Sequence, residues 1–258
     1  MKKYLVVRFF LCFLLVFAAV SCKEDDEPIK KSISYHDYSG LIKEGLIAYY
    51  PLNGDSKDYS GNNNDGAIIG ATSSVDRFGN LNSAYFFDGM DDLMKIPSFS
   101  ELTMKEGTIC FWIRLPSFVT NEQRAVLSQV NPAGSGFVFS INGFTGFWID
   151  VKDGLKTSFG NRLYENDWSG QYMFMALAYS EDRIFTYHKG TLMTILNDDP
   201  EFQVFDPKEP IYFGKCLHAD PEYLNYKGEI DDILVYNRVL TQDELAQLSN
   251  HYNELGKD

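Results

Sequence analysis

The sequence lacks the residue patterns that mark several large classes of protein. Its 258 residues include only four cysteines and four histidines, so neither a dense disulfide framework nor a histidine-rich metal centre is indicated. It contains no P-loop, no G-x-G-x-x-G and no G-x-S-x-G motif. The hydrophobic run at residues 9–20 is too short to cross a bilayer, which takes about 20 apolar residues.

Basic residues are scarce relative to acidic ones. The chain has 23 Lys and Arg against 36 Asp and Glu, a formal charge of -13. Residues 1–21 hold three of the 23 bases and no acid, so the rest has 20 bases against 36 acids, a charge of -16. Such a chain repels phosphate backbones, which excludes nucleic acid as a partner. It suits solubility, or hard cations bound by oxygen atoms.

The N-terminus, MKKYLVVRFFLCFLLVFAAVSC, has a basic start, a hydrophobic run and small residues before Cys22. It resembles a bacterial lipoprotein signal with the lipobox AVSC, in which Ala19 stands where leucine is usual. The resemblance implies a signal peptide over residues 1–21 and a lipid on Cys22. An ordinary secretory signal is the alternative.

The acidic run KEDDEP follows Cys22 directly. It resembles the surface-export signal of Bacteroidetes lipoproteins, which implies a protein anchored to the outer membrane by its lipid alone and exposed on the cell surface. The alternative is a solvated charged tether. Residues 22–44 lack strong periodicity, and we predict a lipidated flexible tether there. The cysteines beyond it, Cys110 and Cys216, are expected to be buried free thiols, although export would permit a disulfide.

Aromatic residues are abundant, with 20 Phe and 16 Tyr, and they favour strands. In GTICFWIRL, residues 107–115, alternation places side chains on two faces. One face carries Ile109, Phe111, Ile113 and Leu115, and the other carries Cys110, Trp112 and Arg114. A T-x-x-E capping box at Thr241 and Glu244, followed by Leu245 and Leu248 at helical spacing, predicts a short C-terminal helix. We therefore predict an all-β sandwich or jelly roll of two antiparallel sheets. The predicted strands are 45–52, 84–89, 93–96, 107–115, 125–130, 136–141, 146–151, 172–179, 183–190, 192–196, 210–214 and 226–237.

Four segments resemble a known family by their order and spacing. They are GLIAYYPLNGDSKDYSGNNNDG, SAYFFDGMDDLMKIP, GTICFWIRL and YKGEIDDILVYNRVLTQDELAQL. They resemble laminin-G-like, concanavalin A-like jelly-roll domains of bacterial surface proteins over residues 45–254, so we place such a domain at 45–258. The resemblance implies a non-catalytic domain that binds carbohydrate or adheres to proteins and holds one structural calcium. Tyr172 stands where the family usually has Trp, so ligand contacts of the middle loops are not transferred.

The turn PLNGDSKDYSGNNNDG offers oxygen ligands to a calcium ion, but its spacing is not that of an EF-hand loop. The missing ligands are expected from the strand GEIDDI, which the resemblance places beside the first strand. Alternation points Asp231 and Asp232 to opposite faces, so only one should reach the site unless the strand has a bulge. An Asx-rich turn without metal is the alternative. The predicted ligands are Asn53, Asp55, Asp58, Gly89, Asp231 and Asp232.

For glycan binding we expect aromatic rings near turns, with polar side chains beside them. Trp148 is a candidate for such a contact, and the alternative is that its side chain is buried in the core. The predicted contacts are Trp168, Tyr164, Arg162 and Trp148. The Glu-x-Asp-x-x-Glu motif of concanavalin A-like glycosidases is incomplete, because Leu234 replaces its last acid. We therefore expect no enzyme. The first hypothesis is a surface lipoprotein that binds polysaccharide, the second an adhesive module that contacts other surface proteins, and the third a hydrolase or lyase.

Overall fold

Two β-sheets packed against each other make up the part of the chain that the structure describes. The structure is a computed structural model, and it describes residues 41–99, 106–115, 123–132, 136–142, 146–152, 156–161, 170–180, 183–197, 208–217 and 224–254. These residues belong to the unit Tyr38–Asp258. The predicted signal peptide, Cys22 and the tether up to residue 40 lie outside the described residues. Within those residues, no helix has the length and apolar character needed to cross a membrane.

Each sheet has eight strands in the described ranges. The first sheet contains β1 (Leu46–Tyr50), β3 (Thr72–Ser74), β4 (Ala84–Asp88), β6 (Gly107–Arg114), β11 (Tyr172–Ser180), β12 (Arg183–His188), β13 (Thr191–Asn197) and β16 (Lys227–Tyr236). The second contains β2 (Ala67–Ile69), β5 (Leu93–Ile96), β7 (Arg124–Val130), β8 (Gly136–Asn142), β9 (Gly146–Lys152), β10 (Lys156–Asn161), β14 (Ile211–Phe213) and β15 (Leu224–Asn225). The helix α1 (Gln242–Glu254) follows β16.

The strand order shows how the two ends of the domain meet. The first sheet runs β13-β12-β11-β6-β16-β4-β3, and β1 pairs with β16. The second runs β10-β9-β8-β7-β14-β5-β2, and β15 pairs with β7. Only the pair β15–β7 is parallel among the described strands. The predicted jelly-roll sandwich of two antiparallel sheets with a C-terminal helix is confirmed, with that one parallel pair as an addition.

Alternation along β6 divides its side chains between two hydrophobic clusters, as the sequence predicts. Phe111 enters the space between the sheets, whereas Cys110 and Trp112 lie on the outer face of the first sheet. Phe111 packs edge-on against Phe139 and Phe213 of the second sheet, with ring centroids 5.7 and 5.3 Å apart. Because this ring is fully buried, its truncation to alanine would cost about 3–5 kcal/mol.

The outer face of the first sheet is covered by the C-terminal helix. Leu245 and Leu248 of α1 are buried in the outer cluster, and Leu41 and Ile42, predicted as part of the tether, pack against it. The predicted capping box is formed: the backbone N–H of Glu244 donates to the Thr241 hydroxyl at 3.2 Å. The backbone N–H of Thr241 donates in return to the Glu244 carboxylate at 2.8 Å.

Both cysteines of the folded domain are buried free thiols, as expected. Cys110 lies in the outer cluster of the first sheet, whereas Cys216 lies in a small cluster with residues of β7 and β8 in the second. The two thiols are therefore on different sides of the sandwich and do not form a disulfide.

Candidate functional site

Strand β16 pairs with β6 along one edge, and along its other edge the partner strand changes near the middle of β16. Its residues 227–230 pair with β4, and residues 233–236 pair with β1. Between them, the register with β6 shifts between Asp231 and Leu234, and Asp232 has a φ of 41°. These features define a β-bulge. The bulge removes the alternation that would have pointed Asp231 and Asp232 to opposite faces.

Both carboxylates meet one guanidinium, that of Arg77 in the loop between β3 and β4. Nη1 lies 2.6 Å from Oδ2 of Asp231, and Nη2 lies 2.6 Å from Oδ2 of Asp232. The three side chains are at most 5% exposed. Burial and then the charge of Asp232 raise the pKa of Asp231 well above its usual value, and Arg77 opposes this rise. The cluster therefore sets two buried carboxyl groups against one guanidinium.

Arg77 also forms a wall of a cleft of about 470 Å³. Its guanidinium carbon lies 4.4 Å from the centre of the Phe78 ring and 4.7 Å from that of Trp112. The cleft is within the size range of small-ligand sites, about 300–1,000 Å³. Its lining residues are Asp76, Arg77, Phe78, Trp112, Arg114, Gly170, Gln171 and Tyr172.

Arg114, the last residue of β6, brings a second guanidinium to the cleft. Its Nη2 lies 2.5 Å from Oε1 of Glu229 in β16, and its guanidinium carbon lies 5.0 Å from the centre of the Tyr172 ring. The Tyr172 hydroxyl donates to the carbonyl of Val75 at 2.7 Å. A guanidinium has five N–H donors, and within the described residues only Nη2 of Arg114 is used. With its side chain 27% exposed, Arg114 offers fixed, unused donors to a ligand.

Asp76 holds the loop that carries Arg77. Its Oδ1 accepts from the backbone N–H of Phe78 and of Asn80, each at 2.8 Å. Its Oδ2 accepts from the Asn80 side-chain amide at 2.9 Å. A carboxylate that accepts backbone N–H groups in this way is an Asx turn. The loop is therefore fixed independently of any ligand, and the cleft is preformed.

A comparison with protein families assigns this fold. The model described as the Concanavalin A-like lectin/glucanases superfamily matches residues 87–246. The chain belongs to this family. No curated protein matches the sequence.

Solved structures of the same fold include binding domains. The binding domain of Paraclostridial Mosquitocidal Protein 1 aligns with a TM-score of 0.66 at 17% identity, over 83% of this chain and 54% of that one. Domain 4 of the GH43 arabinanase AbnA from Geobacillus stearothermophilus, in complex with arabinotriose, aligns with a TM-score of 0.59 at 20% identity, over 79% and 98%. The binding domain of Botulinum Neurotoxin DC, in complex with SialylT, aligns with a TM-score of 0.63 at 13% identity, over 82% and 52%. The chain thus spans about half the length of the toxin domains, and at these identities the likeness shows the fold alone.

In this member of the concanavalin A-like family, the turn at residues 51–66 is held by hydrogen bonds that Asp58 accepts from the turn itself and from β1. Oδ1 of Asp58 accepts from the backbone N–H of Tyr49 at 2.9 Å and of Ser60 at 2.8 Å. Its Oδ2 accepts from the Ser60 hydroxyl and the Asn64 backbone, each at 2.9 Å. Asn53 and Asp55 lie partly buried on the same turn. Asp58 therefore has a structural role whether or not a cation binds.

The structure places the six predicted calcium ligands in three groups. Asn53, Asp55 and Asp58 lie on the turn, and Asp231 and Asp232 lie against Arg77. Gly89 lies in the tight turn after β4, where a β-carbon would be 3.0 Å from Nη1 of Arg124. An arginine thus lies beside two of the three groups. The calcium prediction stays a prediction.

The turn after β4 holds carboxylates that our sequence reasoning did not select. One carboxylate oxygen from each of Asp88, Asp91 and Asp92 lies within 4.8 Å of the others. Asp92 accepts from the backbone N–H of Asp88 at 2.8 Å, and Asp88 accepts from that of Met90 at 2.7 Å. Oxygen donors of this kind suit a hard cation. The signal for them was the acid-rich segment DGMDD, of which we used only Gly89.

The predicted glycan contacts are different from the residues of the cleft. Trp168, Tyr164 and Arg162 lie outside the described residues. Trp148 lies in β9 of the second sheet, whereas the strands that line the cleft belong to the first sheet. Sequence reasoning missed Arg77 and Arg114, because a single arginine in a loop or at a strand end carries no periodic signal.

Buried carboxylates do lie beside the cleft, which bears on the question of catalysis. Asp76, Glu229, Asp231 and Asp232 are at most 7% exposed. The last three are each ion-paired with an arginine, and Asp76 accepts three hydrogen bonds from its own loop. Glycoside hydrolysis needs one carboxylic acid and one free carboxylate flanking the substrate. The paired carboxylates are better suited to fixing Arg77 and Arg114 in place.

Proposed function

We propose that the chain is a non-catalytic glycan-binding module, and that the cleft between Arg77 and Arg114 is its binding site. The observation that carries this proposal is the fixed guanidinium of Arg114, stacked on Tyr172 with unused donors. Sugars combine hydroxyl groups with apolar ring faces, and this cleft offers donors beside aromatic rings. The arabinotriose and SialylT complexes of proteins with the same fold support a saccharide as ligand.

The test is titration calorimetry of the mature chain against a panel of polysaccharides and oligosaccharides. Arg114→Gln and Tyr172→Ala should each weaken binding by at least tenfold, because each removes a contact to the ligand. Arg183→Gln is the matched control, because Arg183 is exposed on β12 and does not line the cleft. Equal affinities of Arg114→Gln, Tyr172→Ala and the wild type would place the ligand elsewhere on the protein.

Glycoside hydrolysis is the second candidate, and one observation favours it. Oε2 of Glu229 is buried and accepts no hydrogen bond within the described residues, although Oε1 is held by Arg114. Asp231 lies two residues further along the same strand, but it is paired with Arg77. Release of reducing sugar from the bound glycan by wild type, and its loss in Glu229→Gln, would establish an enzyme. Stable glycan over a long incubation is the outcome expected here.

We also propose that the mature protein is a lipoprotein of the outer membrane, exposed on the cell surface. The support is the sequence around Cys22: a basic start, a hydrophobic run, the AVSC box and the acidic residues that follow. Metabolic labelling with a radioactive fatty acid should label the wild type and not Cys22→Ala. Protease treatment of intact cells should then degrade the wild-type protein, whereas a protein facing the periplasm would survive.

A structural calcium completes the proposal. It is supported by the oxygen-rich turn at residues 51–66 and by the three carboxylates of Asp88, Asp91 and Asp92. An ion bound there would stabilise the folded state, because it would bind the native arrangement of these oxygens and not the unfolded chain. A calcium titration followed by calorimetry tests for one site per chain.

A further inference from the structure

We infer that the cleft selects uncharged saccharides over uronic-acid and other anionic ones, and that Glu229 sets this preference. The inference rests on the proposed glycan-binding function and names the ligand class for the same cleft. It follows from the charges that surround the two arginines.

The positive charge of each guanidinium in the cleft is already balanced by at least one carboxylate. Arg77 faces two carboxylates at 2.6 Å each, and Arg114 faces Glu229 at 2.5 Å. Asp76 lines the cleft itself, whereas Asp231, Asp232 and Glu229 are outside the lining and contact its two arginines. Two positive and four negative groups therefore lie in the cleft lining or directly against it.

An anionic sugar would have to bind against this excess and against the net charge of the whole chain. Arg114 would be its natural partner, because a guanidinium binds a carboxylate through two parallel hydrogen bonds. Glu229, only 7% exposed, already neutralises Arg114, and a partly buried ion pair is screened by salt much less than an exposed one. A second carboxylate at Arg114 would face repulsion from the first. A neutral hydroxyl group accepts the same N–H donors without that repulsion.

Glu229 is fixed in this role by its neighbours. The Tyr226 hydroxyl lies 3.1 Å from the carbonyl oxygens of both Arg114 and Glu229, so it ties the two strand segments together. Gly228 allows this approach, since a β-carbon there would lie 2.4 Å from the Arg114 carbonyl oxygen. The Arg114–Glu229 pair is therefore part of the built sheet, and Glu229 is a positioning residue that does not need to touch the ligand.

The experiment compares matched neutral and anionic trisaccharides by calorimetry on the mature chain at low and physiological salt. The probes are β-1,4-linked mannotriose and trimannuronate, and cellotriose and triglucuronate, together with arabinotriose as a further neutral probe. We expect a neutral trisaccharide to bind at least about tenfold more tightly than an anionic one, with little salt dependence. In Glu229→Gln, which keeps the shape and removes the charge, the ratio of anionic to neutral affinity should rise about tenfold. Glu209→Gln, remote in sequence and outside the cleft lining, is the control and should leave the ratio unchanged.

The outcomes separate this inference from the proposed function. Tighter binding of an anionic trisaccharide, lost in Arg114→Gln, would overturn the inference and leave glycan binding at the cleft in place. An unchanged affinity ratio in a folded Glu229→Gln variant would remove Glu229 from the specificity. Absence of binding to every trisaccharide and to the polysaccharide panel would overturn the proposed function, and this inference with it.

Discussion

The hydroxyl of Tyr49 donates a 2.5 Å hydrogen bond to Oδ1 of Asp232, which lies 183 positions further along the chain. The backbone N–H of the same tyrosine donates to Asp58 in the opening turn at 2.9 Å. Tyr49 thus connects the turn after β1 with the bulge of β16. The sequence predicted that a calcium ion joins these two segments, and the structure shows a hydrogen-bonded connection through Tyr49.

The first prediction concerns Arg77. Arg77→Met would leave two buried carboxylates without their guanidinium, and we expect a loss of about 3–5 kcal/mol in the free energy of unfolding. Arg77→Lys should lose part of this, because an ammonium group lacks the planar fork that reaches both acids. Urea unfolding at neutral pH measures both variants. The triple variant Arg77→Met/Asp231→Asn/Asp232→Asn should recover much of the loss, and stability equal to wild type in Arg77→Met alone would contradict the ion-pair assignment.

The second prediction concerns the pH dependence of stability. Burial and Asp232 raise the pKa of Asp231, so the folded state binds its proton more tightly than the unfolded state. Its contribution to stability is therefore present below the unfolded pKa and is lost as pH rises through the folded pKa. We expect the free energy of unfolding of wild type to rise relative to that of Asp231→Asn as pH falls. Urea unfolding of both proteins at pH 7, 5.5 and 4 measures this difference.

Glu244 provides a control of opposite sign for that experiment. Arg238 and the helix cap lower the pKa of Glu244 from 4.5 to about 2. Its stabilising contribution is present above pH 4.5 and is lost as pH falls towards about 2. The free energy of unfolding of Glu244→Gln should therefore rise relative to that of wild type as pH falls over that interval. If both variants showed the same slope, the opposite charge environments assigned to the two acids would be wrong.

The third prediction concerns the contact between the β12–β13 hairpin and the helix. A β-carbon on Gly190 would lie 2.6 Å from the Ala246 Cα, and the φ of Gly190 is +76°. Gly190→Ala should therefore cost the strain of its left-handed backbone, about 1–2 kcal/mol, plus an overpacking cost of about 1–3 kcal/mol. Gly79→Ala is the matched control, since Gly79 has a φ of +88° and nothing within 4 Å of the added carbon. Equal destabilisation of the two variants would show that α1 can move away from the hairpin.

The fourth prediction concerns calcium. EGTA should lower the melting temperature of metal-loaded wild type, because a bound ion stabilises the native state. Asp55→Ala and Asp91→Asn report on the two oxygen-rich turns, and the variant whose melting temperature no longer responds to EGTA identifies the site. Asp232→Ala should lower the melting temperature with or without EGTA, since it loses Tyr49 and Arg77 as partners. If EGTA left the melting temperature of metal-loaded wild type unchanged, the calcium proposal would be wrong.

The local pattern of the chain was sufficient for most of the fold. Alternation in GTICFWIRL correctly separated Phe111 from Cys110 and Trp112, because a strand between two hydrophobic layers has an apolar requirement on each face. The capping box at Thr241 marked the start of α1, because its hydrogen bonds are local. The short strands β2, β3, β10 and β15 were missed. Strands of two to six residues are too short to show a clear periodicity, even where the strand pairs with its neighbour along the chain, as β10 does with β9.

The sequence by itself therefore determined most of the longer strands, the two faces of β6 and the terminal helix, because these depend on neighbouring residues. The bulge at Asp231 and Asp232 could not be predicted from the sequence. It lies where the partner of β16 changes from β4 to β1, and this change exists only in the assembled sheet. The cleft was equally hidden, since Arg77, Arg114 and Tyr172 come from three separate parts of the chain. Only tertiary structure brings these two arginines into contact with Glu229, Asp231 and Asp232, because the partners are more than 100 residues apart in the chain.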